Sequence, residues 1–189
     1  MRVLCTTRLT LEPQVPDHAE AMFAVMSDPA IYEFENEPPP SVDWLRQRYA
    51  RLETRRSADG SEWWLNWVIR TAPSQLIGYV QATVHPDGRA GVAYELASRY
   101  WHQGYAREAV DAMIAELASA YGVRHLSAVL KRRNHRSLRF LERLGFTHST
   151  QGEVEADEWL MVRPIAIDTR SGGGVGSDGG SSGTADSRP

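Results

Sequence analysis

The run Trp101-His102-Gln103-Gly104-Tyr105-Ala106-Arg107-Glu108-Ala109-Val110 constrains this chain more than any other segment. Just before it, Val92, Tyr94 and Leu96 alternate with Ala93 and Glu95, the period-two pattern of a strand with two different faces. After it, Val110, Met113, Ile114, Leu117 and Tyr121 recur at helical spacing until Gly122 stops the helix. A strand therefore passes into a long helix through a glycine. Gly104 has no side chain to keep backbone or ligand away. The amides that follow point out of a helix N-terminus, where the helix dipole favours negative charge. Such a junction is a ready site for a pyrophosphate.

The remaining pattern reads β-α-α-β-β-β-α-β-α-β. A short strand is expected over Arg8–Glu12, and a helix over Asp17–Met26, capped by Asp17 behind Pro16. A long acidic, proline-rich loop covers Ser27–Pro40, and a second helix covers Ser41–Arg55 with Leu45, Tyr49 and Leu52 in phase. Strands follow at Trp63–Arg70, Leu76–His85 and Ala90–Leu96, the last two joined by the turn Pro86-Asp87-Gly88. Leu126, Ala128 and Leu130 alternate on a further strand, a helix spans Asn134–Leu144, and Glu158–Val162 reads as the last strand. The expected domain covers residues 1–167. Residues 168–189 are Gly, Ser, Asp and Thr with almost no apolar content, the composition of a disordered tail. Two motifs in that tail, a GxGxxG from Gly174 and a GxSxG from Gly179, lack the flanking strand and helix that would make them meaningful.

The second informative segment is Asn134-His135-Arg136-Ser137-Leu138-Arg139-Phe140-Leu141-Glu142-Arg143-Leu144-Gly145-Phe146. This helix ends at Gly-Phe, the usual stop followed by a buried aromatic. Together and in this order, the two segments resemble the Gcn5-related N-acetyltransferases, most closely the branch that includes the ribosomal-protein N-terminal acetyltransferases. The likeness covers roughly Cys5–Pro164. It implies an α/β fold with a single mixed, mostly antiparallel central sheet, splayed between two strands, with helices on both faces. It also implies acetyl-CoA as co-substrate.

In that family the splay admits the pantetheine arm, which pairs with exposed backbone; the matching groups here are Leu96 and Ala97. The family's phosphate loop reads Arg/Gln-x-x-Gly-x-Gly/Ala, and the window here is Trp101, His102, Gln103, Gly104, Tyr105 and Ala106, followed by Arg107. Trp101 departs from the pattern, so the resemblance assigns the pyrophosphate to backbone amides from Gln103 to Arg107. Asn134 reads both as a helix cap and, by resemblance, as a ligand of a pantetheine amide. Ser137 lies one turn further, where a hydroxyl can protonate a departing thiolate. Many relatives use a tyrosine seven residues after the Asn for that task; Leu141 stands there in this chain.

An amine nucleophile must lose a proton before it attacks, because an alkyl amine with a pKa near 10 is mostly charged at neutral pH. Glu95, beside the cofactor strand and facing away from Tyr94, is the candidate base; an ion-paired sheet-edge carboxylate is the alternative. The resemblance places the region between the first two helices along the acceptor cleft, so Glu33, Glu35 and Glu37 are candidates to attract a cationic amine. Trp64, or Trp44 from the second helix, is a candidate apolar wall. The basic cluster Lys131, Arg132, Arg133, His135, Arg136 and Arg139 reads as surface charge or as a contact for the 3′-phosphate of CoA.

The expected reaction is acetyl transfer from acetyl-CoA to a primary amine by direct attack in a ternary complex. The acceptor is a protein N-terminus or a small-molecule amine. A non-catalytic CoA-binding relative, and transfer of a succinyl or aminoacyl group, are the alternatives. A net charge of −3 and the lack of an aromatic-basic surface motif argue against nucleic acid as partner. No apolar run approaches the roughly 20 residues of a membrane helix. A single cysteine, Cys5, excludes an intrachain disulfide, and six histidines without ligand spacing argue against a metal. The cytoplasm is the expected location. Sheets of this family often pair into dimers, so a homodimer is one option.

Overall fold

The computed structural model describes residues 1–34, 36–72 and 74–165. Glu35, the expected tail and its two motifs lie outside the described residues. Within them, β1 (Leu4–Cys5), β2 (Leu9–Pro13), β3 (Trp63–Thr71), β4 (Gln75–Val84), β5 (Arg89–Leu96), β6 (His125–Lys131), β7 (Thr147–Ser149) and β8 (Glu158–Pro164) form one sheet in the order β1-β2-β3-β4-β5-β6-β8-β7. Every neighbouring pair is antiparallel except β5–β6. That parallel pair needs a crossover, and the helix α3 (Tyr105–Tyr121) supplies it. The other helices are α1 (Ala19–Met26), α2 (Val42–Leu52) and α4 (His135–Arg143). No helix among the described residues is long and apolar enough to cross a membrane.

Both faces of the sheet are covered, which explains the near-continuous apolar run Trp-Trp-Leu-Asn-Trp-Val-Ile of β3. On one face Leu65, Trp67, Ile69 and Val80 pack with Ala109, Val110, Met113 and Leu117 of α3 and Leu141 of α4. On the other, Val68 and Leu76 pack with Ala19, Met22 and Val25 of α1 and Leu45 and Tyr49 of α2. Each fully buried Leu or Met in these layers contributes roughly 1.5–3 kcal/mol.

Three sequence expectations need correction. Asp17 does not cap α1 with its side chain: it lies inside a 3-10 turn, Pro16–His18, and the Val15 amide bonds His18 Nδ1 at 3.2 Å. The second helix starts after Ser41, whose hydroxyl accepts the Trp44 amide at 3.1 Å, and ends at Leu52 rather than Arg55. Strands β1 and β7 are two and three residues long, too short to leave a periodic signal.

Gly78 sits where the β4 backbone presses close against β5. The register skips Ile77 between Ile69↔Gly78 and Arg70↔Leu76, a bulge that bends the sheet at the level of Leu96, opposite Gly78. A Cβ on Gly78 would strike the Glu95 carbonyl oxygen and lie 2.8 Å from Leu96 Cα, both backbone atoms that cannot swing aside. Gly78→Ala should therefore cost about 2–3 kcal/mol, roughly 5–10 °C in Tm. Thermal unfolding of the variant checks this; an unchanged Tm would show that β5 can move away from β4.

Candidate active site

The parallel pairing of β5 with β6 stops early. Arg89, Ala90 and Gly91 pair with His125, Leu126 and Ser127, and from Val92 to Leu96 β5 has no strand partner on that side among the described residues. Meanwhile β5 remains paired with β4 through Leu96, and the Ala97 amide donates to Ile77 O at 3.0 Å. Antiparallel alternation then turns the N–H and C=O of Tyr94 and Leu96 toward the gap. Of the two backbone positions expected to line it, Leu96 does so, while the Ala97 amide is already bonded to β4. The Leu96 carbonyl accepts the Trp101 indole N–H at 2.8 Å, which gives this unexpected tryptophan a structural task.

Beyond the gap lies the loop into α3. His102 (φ +62°) and Gly104 (φ +80°) both adopt the left-handed conformation around Gln103. Gly104 is the N-cap of α3 and offers no side-chain cap, so the first amides of the helix, from Tyr105 to Arg107, are open to an external acceptor. Opposite stands α4. Asn134 Oδ1 caps it by accepting the Ser137 amide at 3.0 Å, which leaves the Asn134 side-chain N–H group as a donor. Arg136 places its guanidinium carbon 3.7 Å from the centre of the Trp101 ring and ion-pairs with Glu33 at 3.5 Å. Glu33 therefore stands at the mouth of the gap and joins α4 to the acidic loop.

Neighbouring residues of β5 face opposite sides. Tyr94 turns to α4, where its ring packs 4.7 Å from Phe140 and its hydroxyl is hydrogen-bonded to Ser137 Oγ at 2.7 Å. Burial pushes the Tyr94 phenol up to about 12, against the opposing effect of the Ser137 bond. Leu141 is buried in the core, and the phenol beside Ser137 belongs to Tyr94 of the sheet.

Glu95 turns to the other face, into a cleft of about 300 Å³ under α2. Its Oε2 is shut off from solvent. Tyr79 lies opposite it across the β4–β5 ladder and donates a hydrogen bond to it. Burial first, then the Glu95 charge and that bond, hold the Tyr79 phenol well above its usual range. Tyr32 is pushed up to about 12 by burial and by the charges of Glu95 and Asp28. Burial likewise raises Tyr49. Only Tyr79 of these bonds the carboxylate; Tyr32 and Tyr49 line the same cleft with their hydroxyls turned to Met26, Tyr32 at 2.7 Å from its carbonyl oxygen and Tyr49 at 3.9 Å from its sulfur. Asn66 and Gln81, paired across β3 and β4, extend the polar floor, and Trp44, Leu45 and Leu52 of α2 form a wall.

The acceptor-side candidates divide. Glu37 and Trp44 line the cleft. Trp64 does not; its indole donates to Glu62 at 3.0 Å. The basic run after β6 is engaged structurally: Lys131 is held by Glu155, Asp157 and Glu158 at 2.8, 3.1 and 3.0 Å, and Arg132 stacks on Trp159. These three carboxylates are the only described acidic or histidine group compact enough for a metal, and Lys131 already supplies their countercharge.

Sequence reasoning missed the tyrosines and Tyr94. Tyr79 was within reach, because counting back from the Pro86-Asp87-Gly88 turn pairs it with Glu95. Tyr32 and Tyr49 arrive through packing of α1, α2 and the turn after α1, which no local pattern encodes.

The sheet is thus opened between two parallel strands, with a helix N-terminus lacking a side-chain cap on one side and a carboxylate-floored cleft on the other. The model of the acetyltransferase (GNAT) domain matches residues 8–147, and the chain belongs to that family. It is an acyltransferase that uses acetyl-CoA. An uncharacterized N-acetyltransferase, YoaA, of Bacillus subtilis (strain 168) is 28 % identical over 150 residues, 76 % of this chain and 82 % of the relative. Two solved structures share the fold at TM-scores of 0.73. The ribosomal-protein-S5-alanine acetyltransferase from Vibrio fischeri is 19 % identical, with 87 % of this chain and 97 % of that one covered. The ribosomal L7/L12 alpha-N-protein acetyltransferase RimL, in complex with coenzyme A, is 16 % identical, with 87 % and 98 % covered.

Proposed function

We propose that this acetyltransferase acts on the free N-terminus of a peptide or protein, by direct attack in a ternary complex. The observation that carries the reading is Glu95, bonded by Tyr79 at the floor of an open cleft whose neighbouring floor groups are the amides Asn66 and Gln81. Amide side chains bond peptide groups in either sense, as donor and acceptor, and an acidic floor draws in an ammonium. The ribosomal-protein acetyltransferases that share the fold support the same acceptor class.

Acetyl-CoA brings the acyl group as a thioester, and the loop amides from Gln103 to Arg107 hold its pyrophosphate. The Leu96 N–H, facing the gap, bonds a pantetheine amide or polarises the acyl carbonyl; Asn134 holds a second pantetheine amide. Glu95 takes the proton of the incoming ammonium, directly or through Tyr79 and water, so that the amine attacks as a neutral nucleophile. Ser137, oriented by Tyr94, gives its proton to the leaving sulfur. The donor and acceptor sides thus lie on opposite faces of β5. The catalytic domain is residues 1–167.

A thiol-release assay tests this, run with acetyl-CoA and three acceptors: short peptides with free N-termini, the same peptides N-blocked, and a polyamine. Release with free but not blocked peptides is the expected result. Release with the polyamine alone overturns the peptide assignment. Micromolar CoA binding with no release from any amine overturns the catalytic reading of the cleft.

A further inference from the structure

We propose that Arg8 is a positioning residue for the phosphate loop, holding the Gln103 carbonyl on its own side so that the amides around Gly104 face the diphosphate. The proposal rests on the assignment of that loop to the pyrophosphate.

Two left-handed residues, His102 and Gly104, flank Gln103. Such a backbone turns successive N–H groups to one side and makes an anion-binding concavity. Glycine adopts the conformation freely, but histidine does so at a cost, so the loop needs an external hold. Arg8 supplies it. Its Nη1 donates to Gln103 O at 2.9 Å, and its guanidinium carbon lies 4.6 Å from the centre of the Tyr105 ring. Its Nη2 is 3.2 Å from where a Cβ on Gly104 would stand. The guanidinium is itself fixed by Glu108, one turn into α3: Nε donates at 2.6 Å, the Arg8 amide at 2.8 Å, and the Thr6 hydroxyl at 2.6 Å to the same carboxylate.

This network joins the turn between β1 and β2 to the first turn of α3. A half-exposed ion pair contributes little to stability, which makes geometry the better account of so many converging bonds. The loop's own first residue is not available for the task. Trp101, where the family pattern carries Arg or Gln, donates to Leu96 O and lies under Arg136. A guanidinium reaches the loop from the distant turn between β1 and β2 instead.

The test compares Arg8→Ala and Arg8→Lys with the unaltered protein. Lysine keeps the charge beside Glu108 and so guards against unfolding, but it lacks the fork that reaches Gln103 O and Glu108 together. Calorimetric titration with CoA should show about tenfold weaker binding in both variants, the size of one charge-assisted hydrogen bond. The ratio of kcat/KM for acetyl-CoA to that for acetyl-pantetheine, which has no diphosphate, should fall by about the same factor. An equal loss with both donors would mean general structural damage and overturn the proposal, as would unchanged CoA affinity. Gly104→Glu in the same titration separates the two readings: if it too binds CoA normally, the loop assignment itself fails.

Discussion

Gly104→Glu should abolish CoA binding while leaving the protein folded. Two effects add. Gly104 has φ +80°, a conformation that costs a non-glycine residue about 1–2 kcal/mol. The new carboxylate would also stand at the helix N-terminus where the diphosphate belongs. Two unit charges about 4 Å apart at an effective dielectric near 20 repel by about 4 kcal/mol. At about 1.4 kcal/mol per factor of ten, the electrostatic part alone weakens binding by nearly three orders of magnitude. Gly104→Ala separates the effects. Its methyl group would stand 3.2 Å from Arg8 Nη2, so it carries the backbone cost and a small displacement of that guanidinium, without the charge. Calorimetry should rank the affinities as Gly, then Ala, then Glu far behind. Equal affinity of the Ala and Glu variants would place the diphosphate elsewhere.

Glu95→Gln should lower kcat about 100-fold at pH 7, within the range of a positioned proton acceptor, with the KM for acetyl-CoA unchanged. The deficit has a pH signature. A peptide α-amino group, with a pKa of about 7.7–8.0, is only about one part in ten neutral at pH 7. As pH rises toward that value solvent removes the proton, and the need for Glu95 disappears. The ratio of wild-type to variant rates should therefore fall steadily from pH 7 to about pH 9, across the titration of the α-amino group; a constant ratio would assign Glu95 to acceptor binding instead. The tyrosines provide an independent check. Tyr79 and Tyr32 are raised by burial first and by the Glu95 charge second, so neutralising Glu95 should lower the onset of tyrosinate absorbance. Burial remains, so the onset stays above that of a free phenol.

How much of this was legible before any coordinates depends on the range over which each signal acts. The strand–glycine–helix junction at Gly104 and the capped helix at Asn134 are local devices, written in consecutive residues, and the structure places both at the gap. The gap itself followed only from the family resemblance, because a parallel pairing that stops after Gly91 leaves no mark in the sequence of β5. The acidic loop was legible as charge but not as geometry: Glu33 pairs with Arg136, whereas Glu37 lines the cleft. The Trp-rich segment was legible as a strand, and Leu65 and Trp67 lie in the core, yet Trp64, the candidate wall, contacts Glu62 rather than the cleft. Arg8 and Glu108 illustrate what was out of reach. Their pairing spans 100 residues, and neither stands out among its neighbours in the chain.

Tyr94 and Glu95 are adjacent in the chain and look to opposite sides of the sheet, in the proposed mechanism one toward the leaving sulfur and one toward the incoming amine. Substitution can alter either separately. Insertion or deletion cannot: losing one residue between the Pro86-Asp87-Gly88 turn and Tyr94 would exchange the two sides, presenting the phenol to the nucleophile and the carboxylate to the thiol. The length of this hairpin is therefore a fixed dimension of the enzyme through descent. The segment from Ser27 to Pro40, which carries no such register, is where a lineage can gain and lose residues and so come to serve a different acceptor.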